Sequence, residues 1–121
     1  MAEIEKGIQK LAELVGEQGA KGAYESMKKF DEGFANVLFG TTFGDVWARP
    51  GLPTKLRSLA TVAGLIVLGR GPELRAHLGI ALRVGWTPEE IKEVIIHMSQ
   101  YGGMPTTIEA IRIFEEVTKK K

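Results

Sequence analysis

Only two histidines occur in the chain, His77 and His97, and they fall on consecutive helix-length segments. His77 follows Glu73 by four residues and Arg70 by seven, and residues so spaced share one side of a helix, although Arg70 precedes a Gly71-Pro72 break. At about 100° per residue, His77 lies on the edge of a stripe through Leu74, Leu78 and Ala81. Two readings follow. His77 is a boundary histidine that bonds Glu73 and steadies the helix, or its acidity is tuned by that carboxylate so that it can move a proton. His97 and Tyr101, at i and i+4, sit beside the Val94–Met98 stripe, either as a structural contact or as the lining of a cavity shared with His77. Arg57 and Arg70 bracket an apolar segment. They are snorkelling ends of a buried helix, or a clamp for carboxylates, a task that suits the planar guanidinium fork. Trp47 and Arg49, in Trp47-Ala48-Arg49-Pro50-Gly51, place an aromatic and a cation on a constrained connector of the kind that completes sites on helical scaffolds. Together these residues describe a cofactor-free site of His, Arg, Glu and Tyr.

Composition removes several alternatives. With no cysteine there is no disulfide framework, zinc–thiolate site, iron–sulfur cluster or thiol nucleophile. HExxH and His-x-His are both absent, so no metal site is expected. Sixteen Lys+Arg stand against 15 Asp+Glu, interspersed, for a net charge of +1, which lacks the broad positive field of a nucleic-acid binder. The longest apolar run, Leu59 to Gly69, falls short of the ~18 residues of a membrane span. The opening MAEIEKGIQK is charged throughout, unlike a secretory signal, so a cytoplasmic location is expected. A length of 121 residues, 44% hydrophobic and 26% charged, suits one soluble domain over residues 1–121.

The elements that must position these residues read as six helices with no strand. Ile4, Ile8, Leu11, Ala12 and Val15 form the first apolar stripe, ended by Gly16 and Gly19. Tyr24, Met27, Phe34, Val37 and Leu38 form the second, closed by Gly40, and Thr41 to Pro53 reads as a connector. Thr54 is placed to cap a third helix, apolar nearly all round after Ser58 and hence expected to be packed on several sides. Gly71 and Pro72 open a fourth helix, which Gly85 ends as a left-handed cap. Thr87-Pro88-Glu89-Glu90 reads as a capping box opening a fifth helix, to about Tyr101. After Gly102, Gly103 and Pro105, a sixth buries Ala110, Ile111, Ile113, Phe114 and Val117, and the lysines at 119–121 form its solvated end. Ile96 points away from the fifth helix's apolar face. With the third helix, it signals buried contacts between copies of the chain, a homo-oligomer.

FGDVWARPGLP (43–53), KLRSLATVAGLIVLGR (55–70), ELRAHLGIALRVGWTPEEIKEVIIH (73–97) and YGGMP (101–105) follow one another in this order. In them the chain resembles the carboxymuconolactone decarboxylase family, in its γ-carboxymuconolactone decarboxylase branch, from about residue 16 to 117. The resemblance implies an all-α fold of the alkyl hydroperoxidase D-like type, assembled as an intertwined oligomer, usually a hexamer. In the redox branch of that superfamily a CxxC pair precedes the histidine. Here Arg70 and Glu73 stand in those places, and Ser58 where an upstream glutamate would be, so thiol peroxidase chemistry is excluded. The implied reaction converts 4-carboxymuconolactone to 3-oxoadipate enol-lactone in aromatic catabolism. The carboxylate leaves a γ-carbon whose electrons reach the lactone carbonyl through the double bond, so no cofactor is needed as electron sink. Within that frame His77 is the proton donor and Glu73 orients it. Arg57, Arg70 and Arg49 are candidates for the substrate carboxylates, with Trp47 beside them, and His97 and Tyr101 meet the lactone. A decarboxylase or isomerase of another lactone or acid, and a non-catalytic ligand-binding oligomer, remain alternatives.

Overall fold

The computed structural model describes residues 2–119; the last two lysines of the expected C-terminal charge cluster, Lys120 and Lys121, lie outside the described residues. Every element described is helical: α1 (Ala2–Val15), α2 (Glu17–Phe30), α3 (Glu32–Val37), a π-helix (Leu38–Trp47), α4 (Thr54–Leu68), α5 (Gly71–Arg83), α6 (Pro88–Gly102) and α7 (Met104–Lys119). The all-α expectation holds, with more helices than the six expected. The chain forms two compact units, the first ending at Thr54 and the second beginning at Lys55. Among the described residues no helix is long and apolar enough to cross a membrane.

In the first unit α1 buries Gly7, Leu11 and Leu14, a face turned slightly from the expected one, so that Val15 is exposed. Gly16 ends α1 at φ +91°, but Gly19 lies inside α2 and terminates nothing. The expected second helix is broken at Asp31, whose extended backbone lets its carboxylate accept from the Phe34 N–H at 2.8 Å. This N-cap restarts the helix as α3 and resets its phase, which leaves Phe34 and Val37 exposed instead of buried. Nor does Gly40 close a helix. The backbone widens into the π-helix and stays helical to Trp47, through half of the expected connector. The reason is close backbone approach. A Cβ on Gly7 would overlap the Phe39 carbonyl, and one on Gly44 would overlap the carbonyl of Glu3. These glycines are points of contact between α1 and the π-helix, not breaks. Tyr24 meets Phe39 edge-on at 5.2 Å and donates its hydroxyl to Asn36 Oδ1 at 2.8 Å.

The second unit is built on aliphatic packing. Val62 and Ile66 of α4, Leu74, Leu78 and Ala81 of α5, Ile91 and Ile95 of α6, and Ala110 and Ile113 of α7 form one buried cluster. Within the chain α4 buries only the stripe Ser58, Val62, Ile66, while Leu56 and Leu68 are exposed, so it is not packed on several sides as expected. Thr54 stands inside α4 as its first residue, and its hydroxyl accepts from Lys10 Nζ. The break before α5 lies at Gly69, φ +71°, not Gly71: the N–H groups of Gly69 and Arg70 bond the Ile66 and Leu65 carbonyls in a Schellman turn. Gly71 begins α5, with Pro72 in the first turn, as expected. Gly85, φ +112°, ends α5 by the same motif, its N–H and that of Trp86 reaching Leu82 and Ala81. The capping box forms as expected, with Glu90 N–H donating to Thr87 Oγ1 at 3.1 Å and Thr87 N–H donating to Glu90 Oε1 at 3.0 Å. α7 buries Ala110 and Ile113 and half-buries Phe114 and Val117, but Ile111 is exposed, against expectation. Trp86 ties the α5–α6 turn to Lys55, donating Nε1–H to its carbonyl at 2.8 Å beneath the ammonium, 4.5 Å from the ring centre.

Candidate active site

The turn at Gly69 and the proline at position 72 aim the start of α5 and thereby its polar residues. Arg70 Nε lies 3.7 Å from Glu73 Oε1, with both side chains more than half exposed. One turn further on, His77 is half-buried at the edge of the stripe through Leu74, Leu78 and Ala81, with Nδ1 inside. Burial is the larger influence on its imidazole and pushes its pKa below 6.5, while the Glu73 carboxylate pulls it the other way. His77 is therefore mainly neutral near pH 7. The exposed Arg70–Glu73 pair contributes little stability. Its guanidinium can therefore exchange Glu73 for another carboxylate at small cost.

α6 brings His97 and Tyr101 together, their rings 5.6 Å apart and tilted by 49°. Both are exposed, Tyr101 by 70%. Arg57, half-buried in the first turn of α4, accepts through its carbonyl from Thr61 Oγ1 at 2.9 Å. Trp47 and Arg49 belong to the first unit, where Trp47 is buried at the end of the π-helix and Arg49 is exposed. The structure thus groups Arg70 with Glu73 and His77, and His97 with Tyr101. Among the clefts of the second unit, one lies between α5 and α7 beside the paired Arg75 and Glu116 and another between α6 and α7, and neither is lined by a candidate residue.

Ser58 stands out beside these residues. It is fully buried on the packed face of α4, and its hydroxyl makes no hydrogen bond within the protein. Buried hydroxyls are nearly always bonded, so this one is an exception. The sequence signal was a lone polar residue four and eight positions before the buried Val62 and Ile66. Among the described residues no group of three or more His, Cys, Asp or Glu is placed to hold a metal ion.

The model of the carboxymuconolactone decarboxylase family matches residues 32–116. The chain is 40% identical over 114 residues to a 4-carboxymuconolactone decarboxylase of Acinetobacter baylyi, covering 94% of this chain and 85% of that protein. It is 30% identical over 113 residues to a nitrosuccinic acid decarboxylase of Metarhizium robertsii, covering 93% and 79% respectively. A shorter match, 39% over 77 residues, is to an uncharacterized 15.0 kDa protein of Paracoccus denitrificans, covering 62% of this chain and 58% of that one. The match spans the α5 and α6 residues that the structure groups, and the chain belongs to the carboxymuconolactone decarboxylase family.

Proposed function

We propose that this protein is a cofactor-free carboxy-lyase that decarboxylates 4-carboxymuconolactone to 3-oxoadipate enol-lactone. The observation that carries the reading is the Arg70–Glu73–His77 line at the start of α5, in a chain 40% identical to a relative bearing that activity's name. The bond from the γ-carbon to its carboxylate breaks, CO2 leaves, and the electron pair passes through the double bond to the lactone carbonyl oxygen. A proton delivered to the α-carbon completes the enol-lactone. Arg70 and Arg57 hold carboxylates, with Arg49 and Trp47 as further contacts, and His97 and Tyr101 face the lactone. His77, neutral in the free protein, gains a proton as the dianionic substrate raises its pKa, then donates it to carbon; Glu73 orients the ring.

A second substrate class is supported by the nitrosuccinic acid decarboxylase relative. A nitro group takes up the electron pair as a nitronate, much as the lactone carbonyl takes it as a dienolate. Both substrates carry their own electron sink. In this reading the whole chain acts as one alkyl hydroperoxidase D-like domain, and the working unit is an intertwined homo-oligomer, a hexamer, in the cytoplasm.

Incubation with 4-carboxymuconolactone is expected to release CO2, and His77→Asn to lower turnover by about a hundredfold or more without unfolding the protein. In the wild type the alkaline limb of kcat should lie at higher pH than that of kcat/KM, because the bound substrate raises the pKa of His77. Absence of CO2 release would sink the substrate assignment, and wild-type turnover in His77→Asn would sink the proton-donor role. Thermal stabilisation by carboxylated lactones without turnover would instead favour a binding protein.

A further inference from the structure

α7 carries two apolar faces. Ala110 and Ile113, with Phe114 and Val117 beside them, face the core of the second unit. Met104, Ile108 and Ile111 are 40–61% exposed. At about 100° per residue these three fall within one arc of roughly 60°, centred about 140° from the buried face. Ile96, 52% exposed on α6, continues the strip. Between the two helices runs a groove floored by Ile95, Ile96, Ile111 and Phe114, with Lys92 on the α6 wall and Glu115 on the α7 wall. Lys92 and Glu115 form no ion pair with each other within the chain. A helix apolar on two sides is normally packed on two sides.

From this surface we infer that the α6–α7 groove receives the same groove of a second copy across a two-fold axis running along it. The inference rests on the self-association in the reading above and names the surface that performs it. Charge and height select this occupant. α6 and α7 are joined tightly at Gly103, and Lys92 lies 11 residues before it, Glu115 12 residues after it. At about 1.5 Å per residue the two stand at nearly the same height above the turn. By the same count Ile96 stands level with Ile111. Rotation about an axis parallel to the groove keeps height and exchanges the walls. Lys92 of one copy therefore meets Glu115 of the other, twice, and Ile96 meets Ile111, twice. The result is a self-complementary four-helix contact, with a charge-matched pair on each side of the axis and apolar pairs nearer the turn.

Sedimentation velocity of the full chain at low micromolar concentration and low ionic strength, without substrate, tests this. Lys92→Glu and Glu115→Lys each place like charges together at two symmetry-related points. Each is expected to weaken the association at least tenfold, and the double variant, which exchanges the charges, to restore it. Ile111→Glu is expected to abolish this contact, and far-UV circular dichroism to show each variant folded. A monomeric wild type, single variants and Ile111→Glu that sediment as the wild type does, or a double variant no better than the singles would each overturn the two-fold contact. Because association is read without substrate, failure here leaves the decarboxylase reading untouched, and absence of CO2 release leaves this contact untouched.

Discussion

The two units hold themselves together by opposite means. In the first, α1 and the π-helix approach backbone to backbone, and the residues at the contact, Gly7 and Gly44, have no side chain. In the second, α4–α7 are held apart by Val, Ile and Leu, and helical glycines such as Gly64 and Gly79 face open space. A backbone contact tolerates no added atom, whereas an aliphatic core tolerates small changes of shape at modest cost. The polar residues with chemical potential follow this division. Arg70, Glu73 and His77 line the edge of the aliphatic unit, where a half-buried imidazole can have its pKa moved by burial and by a neighbouring carboxylate.

Substituting glycines at matched helical positions would break this contrast most directly. Gly7→Ala should destabilise by more than about 4 kcal/mol, since its new Cβ meets a carbonyl that cannot move without the π-helix moving too. Gly79→Ala, with nothing near its Cβ, should instead stabilise by up to about 1 kcal/mol through helix propensity. Urea denaturation of both variants checks this, and equal signs would remove the distinction between the units. Ser58→Ala probes the aliphatic unit from within. It deletes a buried hydroxyl with no hydrogen bond and should leave stability unchanged or raised by about 1 kcal/mol. A clear loss in thermal denaturation would mean the hydroxyl has a partner.

The smallest effect expected is a pH dependence. The folded pKa of His77 lies below 6.5, so between that value and 6.5 the unfolded chain binds more protons. Its contribution to stability is complete above about pH 6.5 and is lost as pH falls through the folded pKa. His77→Gln should therefore flatten the stability profile below pH 6.5, measured by denaturation at several pH values. An unchanged slope would show that burial does not hold the imidazole neutral.

Local chemistry made much of this protein legible in advance. The capping box at Thr87–Glu90, the turn at Gly85 and the pairing of His97 with Tyr101 each depend on residues within five positions of one another, where helical geometry settles which groups meet. The likeness to the decarboxylase family likewise rested on motifs in order along the chain. What the sequence could not decide was long-range. Gly44 carries the same signal whether it ends a helix or admits another backbone, and only the packing of α1 on the π-helix chose between the two. Ile111 has the same apolarity as Ile113, yet one is exposed and the other buried, because the phase of α7 is set by the core it meets. The sequence by itself determined an all-helical chain, its family and the residue types available for chemistry, since composition and short-range spacing suffice for these. Only the tertiary structure decided where the helices break, which faces remain uncovered and which polar groups are buried, because those depend on contacts between residues far apart in the chain.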